Sequence, residues 1–168
     1  VDKLIDKIDS YNIFNYFVPG AVVFEFVRAF LGSAESTDIL SRLLLYYLTG
    51  LTVSRLGSLV LEPLFKMLKL VTHSDYTSYV LACERDKKIE LFVEIANMYR
   101  TIYVGALVCL VITFVLSPPP YFVENLISIR IALGLLAILF FLSYRKQSGY
   151  VNKRVIVCSR PETTVSSA

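Results

Sequence analysis

Four apolar runs, each about as long as a bilayer is thick, dominate this 168-residue sequence and leave few folds open to it. A membrane-crossing helix takes roughly 20 predominantly apolar residues, and the runs cover residues 11–31, 39–61, 98–116 and 123–144. The hydrophobic share, 55%, exceeds the roughly 45–50% of soluble domains, and mean hydropathy is +0.61. The expected fold class is all-α: a polytopic membrane protein with four transmembrane helices. The first run lacks a basic leader and a small-residue cleavage site, and it carries Pro19, Glu25 and Arg28. It is therefore expected to remain as a span rather than be removed as a signal.

Orientation follows from the basic residues, which accumulate on the cytoplasmic side of membrane proteins. The loops "GSAESTD" (32–38) and "SPPPYFVEN" (117–125) contain no Lys or Arg. Lys3, Lys7, Lys66, Lys69, Arg85, Lys87, Lys88, Arg100, Arg145, Lys146, Lys153, Arg154 and Arg160 all fall on the other side. Both termini and the middle connection are thus expected in the cytoplasm, and the membrane is expected to be a bacterial inner membrane. The net charge of +3 reflects this sidedness and gives no reason to invoke direct nucleic-acid binding.

The expected organisation is an interfacial amphipathic helix over 1–10, spans one and two within 11–61, a cytoplasmic helical segment over 62–97, spans three and four within 98–144, and a cytoplasmic tail over 145–168. Residues 1–10 place Val1, Leu4, Ile5 and Ile8 on one helical face, which suits either the bilayer interface or a groove of the protein itself. In "THSD" (72–75), Thr72, Ser74 or Asp75 can cap a helix, and no Pro or Gly follows until Gly105. The third span is therefore expected to begin in the cytoplasm as one extended helix, from about Asp75 or Glu84 onward, and to end at the prolines of "SPPP" (117–120). The tail has one β-prone run, Val155-Ile156-Val157-Cys158, and is expected to be disordered or to pair with another chain.

Charges inside the spans need partners, since each costs about 2.5–3.5 kcal/mol at the bilayer centre on insertion scales. Glu25, Arg28, Arg42, Arg55 and Arg130 are the intramembrane polar residues. Glu25 is expected to be balanced by Arg28, three residues on, or by Arg42 or Arg130 from other spans; a polar pore lining and a proton relay are the lesser readings. Gly50, Ser54 and Ser58 recur every four residues and form a helix-packing seam, which serves either within one bundle or between subunits.

Catalytic signals are thin. The single histidine, His73, lies in a turn, and Cys83, Cys109 and Cys158 have no metal-ligand spacing. No phosphate loop, nucleophile elbow or zinc-protease pattern occurs. No enzyme activity, catalytic residue, metal or cofactor is expected.

The stretch "SYNIFNYFVPGAVVFEF" (10–26) resembles the N-terminal pattern of small multi-pass membrane proteins encoded in bacterial phage-defence and mobile regions. The four-span layout with a cytoplasmic middle helix is similar to the membrane subunit of the Kiwa defence system. That resemblance implies a non-enzymatic inner-membrane oligomer that senses phage-induced membrane events and recruits a soluble cytoplasmic partner. The expected partners are membrane lipids, further copies of the chain (a tetramer ahead of other states) and a soluble cytoplasmic protein. Tyr76, Arg85, Lys87, Lys88, Glu90 and Glu94 are the candidate partner-binding residues. The alternative is a small oligomeric pore or channel that permeabilises or depolarises the membrane, with Glu25, Arg55 or Arg130 lining it.

Overall fold

The computed structural model describes residues 13–32, 38–71 and 75–159, and every regular element among them is helical. A π-helical turn, Ile13–Phe17, leads into α1, Val18–Phe30. Helix α2, Ile39–Leu56, runs through a second π-helical turn, Gly57–Leu61, into α3, Glu62–Met67. Then follow α4, Tyr76–Arg85; α5, Lys88–Val115; the short α6, Pro120–Val123; and α7, Leu126–Ser159. The expected amphipathic helix at 1–10 and His73 lie outside the described residues.

Both π-helical turns end two residues before a proline, Pro19 in one case and Pro63 in the other. Proline has no N–H to give and its ring crowds the carbonyl four residues earlier, here Asn15 and Leu59. Widening the preceding turn relieves that clash while the helix continues.

Three helices are long and apolar enough to cross a membrane: Ile39–Met67, Lys88–Val115 and Leu126–Ser159. At 1.5 Å per residue they measure about 44, 42 and 51 Å, against a hydrocarbon core of about 30 Å. The first apolar run forms a shorter unit, 13–30, and is not one of the three.

Helix α1 and the π-helical turn before it pack on α2 in a close crossing. A Cβ on Gly20 would stand 1.9 Å from the Tyr46 carbonyl oxygen, and one on Gly50 would stand 1.8 Å from that of Tyr16. Helix α5 lies against both, around a core of Val23, Val53, Val104 and Cys109. Helix α7 runs along α5, and only 6% of its apolar window is buried within the chain, which leaves most of that surface for lipid or for other copies.

Two expectations are corrected beyond the spans. A helix begun at Asp75 does not run unbroken into the third apolar run: α4 ends at Arg85, Asp86 is extended (φ −143°, ψ 95°), and α5 starts at Lys88, four residues after the other expected start, Glu84. Neither Gly nor Pro causes the break. The Asp86 carboxylate accepts from the Lys88 N–H at 3.1 Å and pairs with Arg154 of α7, so its side chain is committed to a cap and a salt bridge. The second correction is the tail, which is neither disordered nor a strand over its described part, because α7 continues to Ser159. Tyr144, Ser148, Val151 and Val155 fall at helical spacing, and Val155 joins Ala82 and Ile89 in a separate buried cluster. Packing against α4 and α5 overrides the β propensity of the Val-Ile-Val run.

Asp75 is the cap of α4, its carboxylate accepting from the Thr77 N–H at 3.1 Å. The second long helix passes Leu61 and stops only at Met67, where Lys69 turns left-handed at φ 54° and the Leu70 N–H reaches back to the Phe65 carbonyl at 2.9 Å.

Candidate functional site

The charged residues expected within the spans are spread over α1, α2 and α7. At the end bearing Gly32, Glu25 and Arg28 form the i,i+3 pair that their spacing predicts, with Arg28 Nη2 2.6 Å and Nε 2.7 Å from Glu25 Oε2. The other carboxylate oxygen accepts from the Tyr46 hydroxyl of α2. Of the three basic candidates it is Arg28 that holds Glu25, and Tyr46 is a partner that no local pattern in the sequence disclosed.

Arg130 goes elsewhere. Its Nη2 donates to the Thr113 carbonyl, its Nε lies 3.3 Å from Thr113 Oγ1, and its guanidinium sits 4.1 Å from the Phe114 ring centroid. It therefore ties α7 to α5 near the 116–125 turn. Arg42 is half-buried near the start of α2. Arg55 is exposed on α2, beside the exposed Leu56 and Leu59.

The small-residue seam serves the interior of the chain. Gly50 takes the Tyr16 backbone, Ser54 is buried, and the Ser58 hydroxyl donates back to the Arg55 carbonyl at 3.1 Å. Gly57, beside the seam, admits α5: a Cβ there would stand 3.0 Å from Val104 Cγ2 and 3.3 Å from Arg100 Cγ.

At the opposite end lies the site with the most chemistry. Glu62 opens α3 directly after the second π-helical turn, and its Oε2 receives Arg100 Nη1 at 2.5 Å. Lys66, one turn on, approaches Glu62 Oε1 at 3.1 Å. The Arg100 side chain is 10% exposed and that of Glu62 18%. Counting basic residues by position puts Arg100 in the cytoplasmic connection, whereas the structure buries it in α5. Close by, the Thr101 hydroxyl, fully buried, contacts Asn15 Oδ1 at 3.0 Å and links the first π-helical turn to α5.

These groups border a cavity of about 320 Å³ among α3, α4, α5 and α7. Glu62, Lys66, Asn97, Arg100, Tyr144, Ser148 and Asn152 supply its polar lining, with Tyr76 and Tyr79 at the α4 side. Two buried polar atoms of lining residues make no well-formed hydrogen bond: Arg100 Nε and the Tyr144 hydroxyl. Burial first, and then its hydrogen bond with Cys83, push the Tyr79 hydroxyl up to about 12, so it is a protonated donor at neutral pH. The sequence carried only a faint signal for this site, an acid and a base each at one end of an apolar run.

Beyond the cavity, α4, the first turns of α5 and the last turns of α7 form a small three-helix unit. Arg154 pairs with Asp86, and Arg85 Nη1 donates to the Cys158 carbonyl at 2.9 Å. The Arg154 guanidinium holds the Asp86 carboxyl below its usual value. Of the candidate partner-binding residues, Tyr76, Lys87, Lys88 and Glu90 are exposed, Glu94 is half-buried, and Arg85 is engaged by α7. No group of His, Cys, Asp and Glu that could hold a metal occurs among the described residues.

Compared with family models, curated proteins and solved structures, the chain matches none.

Proposed function

We propose that this is a non-enzymatic membrane sensor or scaffold that assembles into a homo-oligomer, with a tetramer as the first expectation, and presents its three-helix unit to a soluble cytoplasmic protein. The observation that carries this reading is continuity. Helices α5 and α7 each pass without a break from bilayer-length apolar sequence into the unit closed by Ala82, Ile89 and Val155. A rotation or shift of these helices in the membrane therefore changes the pose of the exposed surface around Tyr76, Lys87, Lys88 and Glu90. The basic residues around this end support a cytoplasmic position for it, in a bacterial inner membrane, with the 13–30 unit completing a fourth crossing. The role in antiphage defence rests on the resemblance of residues 10–26. The largely unburied apolar window of α7 supports association of copies.

A photo-crosslinking amino acid at Lys87 or Tyr76, in living cells, tests the proposal. The expected product is one discrete crosslink to a soluble protein, lost on charge reversal of Lys88. Crosslinks to lipid and to the chain itself alone would refute it. The second reading, a small oligomeric pore, draws on Arg55, an exposed cation on an apolar helix face. It requires that Arg55→Leu abolish ion flux through reconstituted vesicles.

A further inference from the structure

We propose that the cavity bounded by Glu62, Lys66, Arg100 and Tyr144 binds a phosphate group, carried either by a phospholipid head or by a small soluble phosphate ester. This goes beyond the sensor reading and does not depend on which protein the three-helix unit meets.

The hydrogen-bonding inventory sets the sign of the ligand. Both oxygens of the one carboxylate are engaged, Oε2 by Arg100 and Oε1 by Lys66. The unmet capacity lies on the donor side. Neither the Tyr144 hydroxyl nor Arg100 Nε makes a well-formed hydrogen bond, although Tyr144 is 2% and Arg100 8% exposed and the Ser148 and Arg100 side chains lie beside the hydroxyl. Buried orphans of this kind are rare and call for a missing partner such as an ion or a water. Arg100 Nε can only donate, so its missing partner is an acceptor, and the Tyr144 hydroxyl can donate to the same one. The Ser148 hydroxyl and the free N–H bonds of the Lys66 ammonium add donors on two further sides. Two cations against one carboxylate leave the lining positive, which favours an anion over a neutral acceptor.

Size and position narrow the class. At about 320 Å³ the cavity sits at the small end of ligand pockets. It has room for a phosphate and a short organic body. A phosphate offers several acceptor oxygens to donors converging from α3, α5 and α7, whereas a planar carboxylate offers two. Lys66 is half-exposed at the rim, so the entrance is already cationic. Its place at one end of three bilayer-length helices puts that entrance within reach of lipid heads and of water.

The test uses the full chain in maltoside micelles free of lipid, titrated in one arm with inorganic phosphate and in the other with phosphatidylglycerol. A ligand that binds only the folded state raises the melting temperature in a saturable way, and native mass spectrometry reads the mass retained per chain. The expected result is a saturable rise with one equivalent bound. If phosphate alone produces it, the source is soluble. If only phosphatidylglycerol produces it, the source is the membrane. Tyr144→Phe and Lys66→Gln keep the packing and should each weaken binding about tenfold or more, as loss of a hydrogen bond to a charged group does. Without ligand, Tyr144→Phe should melt no lower than the parent, since it removes a hydroxyl that makes no well-formed hydrogen bond. No saturable rise in either arm, or an equal rise in the parent and both variants, would overturn the proposal and leave a water-filled cavity.

Discussion

Replacing Gly50 by alanine isolates the contact that holds the first helical unit to the second. The new Cβ would lie 1.8 Å from the Tyr16 carbonyl oxygen and 2.5 Å from its carbonyl carbon. Both are backbone atoms and cannot rotate aside. Ordinary van der Waals contact starts near 3.4 Å, so the two helices must part by about 1.5 Å at their crossing. A gap of 0.5–1 Å already forfeits roughly a quarter to a half of a dispersion contact. The edge-on ring pairs Tyr16–Tyr47 and Phe17–Tyr46 lie beside this point and would open with it. Separation also lengthens the Tyr46 hydrogen bond to Glu25, and bonds to charged groups contribute about 1.5–3 kcal/mol. With overpacking itself worth about 1–3 kcal/mol, the expected loss for Gly50→Ala is about 3 kcal/mol or more, and the same holds for Gly20→Ala. Gly134→Ala and Gly149→Ala are the controls. They sit inside α7 with nothing within 4 Å of the new Cβ, and should gain about 0.5–1 kcal/mol from helix propensity. Thermal melts followed by circular dichroism, with native mass spectrometry in parallel, separate stability from subunit number. If Gly50→Ala melts with the parent but changes the oligomer, the seam joins subunits and the intramolecular crossing is refuted.

Two further outcomes are expected. Glu62→Gln removes the counter-charge of Arg100; loss of one partner from a buried pair costs about 3–5 kcal/mol, and partial exposure brings the expected value to about 3. Arg100→Met added to Glu62→Gln should recover most of it, as a double-mutant cycle in thermal melts would show. Asp86 is held ionised by Arg154, so its stabilising contribution is complete above the unfolded carboxyl value near 3.8 and is lost as pH falls through its lower folded value. Hydrogen exchange in α4 and the end of α7 should therefore accelerate in that acidic window, and Asp86→Asn should remove the pH dependence.

What the sequence by itself determined lies within one or two helical turns. The apolar runs located three long helices, the prolines after Ser117 marked the end of α5, and local spacing put Asp75 among three candidate caps and Arg28 among three candidate partners of Glu25. Each depends on neighbours along the chain, where helix geometry alone sets the distances. The remaining features depend on which helices lie side by side. Tyr46 reaches Glu25 across 21 residues and Arg100 reaches Glu62 across 38. Asp86 breaks a helix that local propensity would continue, because Arg154, 68 residues away, takes its carboxylate. The Val155 run stays helical because Ala82 and Ile89 cover its buried face, and a β-branched residue takes the conformation in which its side chain is best packed. Gly50 could serve either a neighbouring helix or a second subunit as far as spacing was concerned. Only the approach of the Tyr16 backbone assigns it to the fold of one chain.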